Sequence, residues 1–500
     1  MQEHEAGDVP HLPGTDVLSF PPEAGPPRAP AAEKDFRLFL KQGLTRGGIS
    51  DTVEVTQETR AGSNGAGGKE KRRMIFQKSR NVAQTPPMGW NSWDCFAANV
   101  TEEQLMANAR YVRDHLKAHG WQYVVCDIQW SEPLAGTEEG EYRPFAALCL
   151  DEYGRQIPAE NRFPSSAGGK GFGPIADEIH AMGLKFGIHI MRGIPRQAVH
   201  AHLPVLGTGV TADKIASPFS ISKWNGDMYG VDASRPGAQA YYDSIFRLYA
   251  EWGVDFVKVD DICNTNLYVD NPYSAAKEVE MIAKAIAGCG REMVLSLSPG
   301  PAVIEEAWHL KTYANMWRMT DDFWDKWEPL KQMFYRCELW QAHVGPGSWP
   351  DCDMLPLGKI GIGFRSPRMT NFTKDEQRTM LTLWCVFRSP LMVGGDLPQN
   401  DDWTLSLLTN DEVIAVNQQG ANPRQLDKTD DFRLWASDAP DGGLYLAGFN
   451  LSEEEKTFAV PLSALGLEGA SVRDLWTHEP VASPAEAALP AHGSFLWKLK

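Results

Sequence analysis

From Thr85 to about residue 418 the chain alternates short apolar runs with amphipathic stretches, the texture of successive βα units. The runs are PMGWNSW, WQYVVCDI, LKFGIHI, VDFVKVDD, EMVLSLS, ANMWRMT, WPDCDML and SPLMVGG. Most are near-continuous and short, as strands buried on both faces should be, and only WPDCDML is weakly strand-like. Between them the spacing predicts helices over 101–119, 172–182, 237–252, 274–289, 301–311 and 373–386, the first opening on an N-cap Thr101 with Glu103 close behind. Eight such units predict a closed (β/α)₈ barrel over residues 83–418. Beyond it the helical period disappears. Short alternating stretches, FRLWASD, GLYLAGFNL, KTFAVPL, SVRDLW and SFLWKL, with turn signals such as PDGG, predict an antiparallel β domain over 419–500. The NPRQ stretch near Pro423 reads as the connection between the two.

Residues 1–82 mix Pro, Gly, Glu and basic residues, as in PPEAGPPRAPAAEK and AGSNGAGGKEKRR, and are predicted to be a disordered, low-complexity extension. They lack the basic start and apolar run of a signal peptide, and no stretch of the chain reaches the ~20 apolar residues of a membrane span. A cytoplasmic protein with no membrane partner is the expectation. The net charge of -17 would repel nucleic acid and anionic lipid, which leaves an uncharged small molecule as the better-matched partner. The eight cysteines are thinly spread and form no CxxC pair, so neither a disulfide framework nor a zinc site is expected. Sequence leaves homo-oligomerisation open.

In a (β/α)₈ barrel the working side chains sit at the C-terminal ends of strands. Here those ends are acidic: Asp127 after WQYVVC, Asp260 and Asp261 in VDFVKVDD, Asp321 and Asp322 after WRMT, and Asp351 and Asp353 in WPDCDML. Such a cluster suits either a divalent metal or a glycosidase with paired carboxylates. Lys258 and Arg318 are interleaved with the acids and can neutralise them without a metal. Trp90, Trp93, Trp130 and Trp317 crowd the same ends, and aromatic faces with charged hydrogen-bonding groups describe a pyranose pocket. The plainer alternative is that most of these acids cap helices.

The same segments resemble the melibiase-type α-galactosidases, family 27 of the glycoside hydrolases. PPMGWNSWDCF is similar to the family's opening strand, VDFVKVDD to its nucleophile strand, WRMTDD to its acid/base strand and SWPDCDMLPLG to its WNDPDML segment. The resemblance implies a (β/α)₈ barrel followed by a C-terminal antiparallel β-sandwich, no metal and no cofactor. It implies a retaining exo-glycosidase that cleaves terminal α-D-galactosides by double displacement, with no disulfide required. Carried over by position, Asp260 is the nucleophile and Asp322 the acid/base. Trp93, Asp127, Lys258, Ser298, Arg318 and Asp353 line the glycone site. In such enzymes the two carboxyls stand roughly 5–5.5 Å apart.

Two departures bear on the sugar. Where the family usually reads DDCW this chain reads DIQW, so Ile128 replaces a carboxylate that binds galactose near O4 and O6. LSLSPGPA replaces a Cys-Glu-Trp element near O2, leaving Ser298 and Pro299 there. Asp351 and Gln129 are the expected substitutes for the lost contacts, and His189 in FGIHI stands at a strand end where it could line the pocket. Alternatives to the α-galactosidase reading are an α-N-acetylgalactosaminidase, a β-L-arabinopyranosidase, an enzyme of α-glucosidic ends, or a non-catalytic carbohydrate-binding barrel.

Overall fold

The computed structural model describes residues 76–79, 81–136, 143, 145–265, 268–363 and 366–500. Strands β1 (Met88–Asn91), β2 (Tyr123–Cys126), β3 (Lys185–Met191), β4 (Phe256–Asp260), β5 (Val294–Leu297), β6 (Met316–Arg318), β7 (Trp349–Asp351) and β8 (Leu391–Val393) form one parallel sheet, in the order 7-6-5-4-3-2-1-8. Its two ends meet just past β7, where Leu355 N–H donates to Met392 O (2.8 Å) and Gly394 N–H to Leu355 O (3.0 Å). That parallel bridge closes the barrel. The weak WPDCDML run is therefore a strand. Its Pro350 is tolerated because the β8-facing edge of β7 carries no ladder bond before Leu355.

Helices α1 (Glu102–Tyr111), α2 (Gly173–Ala181), α3 (Ala238–Glu251), α4 (Ala276–Gly288), α5 (Ala307–Tyr313), α6 (Trp327–Trp340) and α7 (Lys374–Phe387) follow β1 to β7, and α8 (Asp402–Leu408) and α9 (Asp411–Gln419) follow β8. Thr101 caps α1 as expected, but its reciprocal partner is Gln104, whose Oε1 accepts from Thr101 N–H at 2.9 Å. A capping box requires that third position, which Glu103 does not occupy.

Side-chain alternation decides what each strand presents. Tyr123, Val125, Phe256, Val294, Met316, Trp349 and Met392 fill the barrel interior. Their neighbours Val124, Cys126, Val257, Val259, Leu295, Trp317, Leu391 and Val393 face the helices. Gly89 on β1 makes room for this inner layer, since a Cβ there would lie 2.4 Å from Tyr123 O. Trp90, Trp130 and Trp317 belong to the outer core, at 1% exposure or less, and do not border a sugar pocket. Alternation sends them to the helix side, and of the four tryptophans expected there only Trp93, just beyond β1, lines the mouth.

After α9 come β9 (Ala421–Lys428), β10 (Phe432–Asp438), β11 (Leu444–Asn450), β12 (Lys456–Ala459), β13 (Val472–Asp474), β14 (Glu486–Leu489) and β15 (Ser494–Leu499). Five of them pair in the order 9-10-11-15-13, and β12 pairs with β14. One face of the larger sheet buries Leu434, Ala436, Leu446 and Trp497 with Val460, Ala487 and Leu489. The opposite face carries Trp435, Tyr445, Ala447, Phe449 and Leu496 into the barrel's own core. The NPRQ stretch is not a connection but part of the edge strand β9, with a register shift between Ala421 and Arg424 that accommodates Pro423.

Residues 1–75 of the predicted N-terminal extension lie outside the described residues. The segment that follows them is packed on the barrel. Phe76 stacks on Tyr313 with ring centroids 5.0 Å apart, and Lys78 Nζ donates to the carbonyls of Ala314 and Gly347. At the end of α5, Lys78 satisfies the C-cap carbonyl of Ala314, which the helix leaves open. Among the described residues no helix is long and apolar enough to cross a membrane.

Candidate active site

At the C-terminal ends of the strands lies a cavity of about 360 Å³, whose lining includes Trp93, Asp94, Asp127, His189, Lys258, Asp260, Arg318, Asp321, Asp322 and Asp353. Strand alternation assembles it. Phe256, Lys258 and Asp260 share the inward side of β4, and His189 on β3 lies in register with Lys258. Tyr123, Val125 and Asp127 do the same along β2, as do Met316 and Arg318 on β6.

Asp260 is held at both oxygens. Its Oδ1 accepts from the Asp261 N–H at 2.6 Å, and its Oδ2 lies 3.2 Å from Ser298 Oγ and 3.0 Å from His189 Nε2. The imidazole contact is at ion-pair distance but poorly aligned for a hydrogen bond. On its other side His189 Nδ1 meets Asp127 Oδ1 at 2.7 Å, and Lys258 Nζ lies 3.4 Å from Asp127 Oδ2. Burial alone would raise the pKa of Asp260. His189, Lys258 and the Asp261 N–H outweigh it and hold the carboxyl below its ordinary value. Asp127 is likewise held down, against its own burial, by His189 and Lys258. Lys258 is kept charged by Asp127 and Asp260 against the desolvation of its largely buried side chain.

Across the mouth Arg318 divides its guanidinium between Asp353 Oδ1 (2.7 Å) and Asp322 Oδ1 (3.0 Å). Asp322 is open to solvent, with 61% of its side chain exposed. Asp353, buried, also accepts the Phe323 N–H at 2.8 Å, and burial raises its pKa against the pull of Arg318.

The two rival acids behave differently. Asp261 turns away from the cavity. Its left-handed backbone (φ 54°) aims its N–H at Asp260, while its carboxylate pairs with Arg192 at 2.9 Å. Arg192 is tied in turn to Glu278 (3.0 Å), which accepts from Tyr242 Oη at 2.5 Å. A non-glycine residue in this conformation costs on the order of 1–2 kcal/mol, which the Arg192 clamp offsets. Burial pushes Asp261 up to about 7, Arg192 opposing. Asp321, by contrast, lines the cavity beside Asp322, because β6 ends at Arg318 and the turn beyond it does not alternate.

Ser298 is fully buried and touches Asp260 rather than the cavity surface, which Pro299 forms instead. Asp351 and Gln129 do not reach the cavity either. Asp351 accepts the Asp353 N–H at 2.9 Å, and burial pushes it up to about 7. Gln129 donates to Asp227 at 3.1 Å. At the position where the resemblance implies an acid, Ile128 packs with Leu148, Met191 and Met228, and Trp93 and Trp224 lie against that cluster. No group of three or more His, Cys, Asp or Glu is set to hold a metal among the described residues.

Residues 225–419 match the family described as Alpha galactosidase A, and residues 429–499 match the Alpha galactosidase C-terminal beta sandwich domain. A crystal structure of a family 27 β-L-arabinopyranosidase from Geobacillus stearothermophilus is 56% identical, covers 84% of this chain and 97% of its own, and superposes with a TM-score of 0.81. The chain belongs to glycoside hydrolase family 27. A second relative in fold, a candidate α-N-acetylgalactosaminidase from Bacillus halodurans, is 51% identical, with 85% of this chain and 99% of that one covered and a TM-score of 0.75. An α-galactosidase of Cyamopsis tetragonoloba is 28% identical over 85% of this chain and 88% of its own. This family 27 chain is thus a glycoside hydrolase with a carbohydrate substrate.

Among the cavity residues of this family 27 chain that sequence reasoning left without a role are His189 and Asp94. His189 was visible as a strand-end histidine, yet only the β3–β4 register reveals that it bridges two aspartates. Asp94 gave no signal, because it lies beyond β1 where alternation no longer applies. In the His189→Gln variant kcat/KM is expected to fall about 10- to 100-fold, the value of a charge-assisted hydrogen bond. Because His189 lowers the Asp260 pKa, its loss should move the acidic limb of the pH profile upward, since the carboxylate then takes its proton at higher pH. An acidic limb that stays in place would show that His189 does not tune Asp260.

Proposed function

We propose that this enzyme is a retaining exo-glycosidase whose best substrate carries a terminal β-L-arabinopyranosyl residue. Asp260 attacks the anomeric carbon as Asp322 protonates the departing oxygen, giving a glycosyl ester and a free alcohol. Asp322, now a carboxylate, then takes a proton from water, which attacks the same carbon and releases Asp260. Asp260 is suited to the first role because His189, Lys258 and a backbone N–H favour its ionised form. Asp322 is suited to the second because it stands at the open side of the cavity, where a leaving group departs. Lys258, Asp127, Arg318 and Asp353 supply hydrogen bonds to the glycone hydroxyls, and Trp93 its apolar surface.

The apolar wall built on Ile128 carries the choice of sugar. β-L-Arabinopyranose has the ring stereochemistry of α-D-galactopyranose from C1 to C4 and lacks only the hydroxymethyl group on C5. A wall of Ile128, Met191 and Met228 backing Trp93 and Trp224 offers no charged acceptor to a primary hydroxyl, and loses nothing when that hydroxyl is absent. The 56% identity to an arabinopyranosidase supports the same choice. Terminal α-D-galactosides are the second reading, favoured by the retained Asp127. p-Nitrophenyl β-L-arabinopyranoside and α-D-galactoside separate the two. Wild type should prefer the first, and Ile128→Asp should shift the kcat/KM ratio toward the galactoside by about 10- to 100-fold, one charge-assisted hydrogen bond. A wild-type preference for the galactoside would reverse the assignment.

A further inference from the structure

Asp94 follows Trp93 in the short helix Trp93–Phe96 and lines the cavity, with 3% of its surface exposed. Its Oδ2 is shut away from solvent without a hydrogen-bond partner, and among the described residues no group donates to its carboxyl. Gly394, just past β8, admits it: a Cβ there would lie 2.0 Å from Oδ2. The other carboxylates around the cavity are engaged. Asp127 and Asp260 meet His189, Asp322 and Asp353 meet Arg318, and Asp321 accepts the Asp322 N–H at 3.0 Å. Asp94 is the exception.

An unpaired buried carboxylate is expensive, and such a group takes a proton instead. Burial raises the Asp94 pKa well above the carboxylate range; Asp353, Asp322 and Asp127 add to the rise, and Lys258 opposes it. The neutral carboxyl has one O–H to give and one oxygen to accept with, the complement of a sugar hydroxyl. A polar group left unsatisfied beside a ligand cavity stays costly until a ligand fills it. Ile128 stands where the resemblance implies a glycone-binding acid, and neither Asp351 nor Gln129 reaches the cavity to replace it.

We propose that Asp94 is a specificity residue of this site, its carboxyl group bonding one ring hydroxyl of the bound pyranoside in place of the acid that Ile128 displaces. The assignment rests on the glycosidase reading. The test compares wild type, Asp94→Asn and Asp94→Ala on p-nitrophenyl β-L-arabinopyranoside and its 2-, 3- and 4-deoxy analogues, with melting temperatures measured alongside. Asp94→Ala should lose about 10- to 100-fold in kcat/KM on the parent glycoside, mostly through KM. Asp94→Asn, which keeps a donor and an acceptor, should stay within a few-fold of wild type. On the one deoxy analogue that lacks the contacted hydroxyl, the difference between wild type and Asp94→Ala should vanish. The melting temperature of Asp94→Ala should not drop, because an unpartnered carboxyl leaves the interior. Equal activity of Asp94→Ala and wild type on every substrate would overturn the proposal. So would an equal loss on every substrate together with a lower melting temperature, which is the mark of a structural residue. A wild type inactive on all of these glycosides, with Asp260→Ala indistinguishable from it, would overturn the glycosidase reading and this proposal with it.

Discussion

Asp260→Ala is expected to lose at least about 10⁴-fold in kcat/KM on p-nitrophenyl β-L-arabinopyranoside, the scale seen when a covalent nucleophile is removed. The geometry leaves no ready substitute. Both Asp260 oxygens are fixed by Asp261 N–H, Ser298 and His189, and the adjacent Asp261 is turned into its pair with Arg192. The space freed by the truncation borders the anomeric carbon, so added azide should restore part of the rate. Azide would enter from the face that Asp260 occupied and yield a glycosyl azide of inverted configuration, which NMR of the product identifies. Full activity in this variant, or rescue without inversion, would remove Asp260 from the role of nucleophile.

Asp322→Ala should follow a different pattern. p-Nitrophenolate leaves with little protonation, so formation of the glycosyl-enzyme should survive. Attack by water, which needs a base, should slow, and kcat is expected to fall about 10²- to 10⁴-fold. A burst of nitrophenol ahead of the steady state is the expected signature. Azide needs no base and should accelerate turnover, giving a product of retained configuration. Alkyl glycosides, whose leaving oxygen requires a proton, should lose more than the aryl glycoside. Asp321 lines the same cavity, so Asp321→Ala is the control: if it shows the burst and the rescue while Asp322→Ala does not, the acid/base assignment passes to Asp321.

The barrel and its acidic mouth were legible in the chain. Runs such as VDFVKVDD are short, apolar and buried on both faces, and a period of two puts Lys258 and Asp260 on one side whatever surrounds them. The NPRQ stretch near Pro423 reads as a connection for a local reason: Pro and Asn argue against strand, and only pairing with β10 accommodates them at an edge. Trp90, Trp130 and Trp317 were placed at the mouth by their position along the chain, and alternation moved them to the helix side.

Sequence by itself determined the fold class and the side of the barrel that carries Asp127, Lys258, Asp260, Arg318 and Asp353, since strand period and order along the chain are local properties. Only the tertiary structure decided which groups meet: that His189 bridges Asp127 and Asp260, that Arg192 holds Asp261 out of the cavity, and that Asp94 rests unpaired against Gly394. Those pairings join residues on different strands and loops, many of them tens to hundreds of positions apart. Register across the sheet and the course of the loops beyond it bring them together, and neither is written in any one segment.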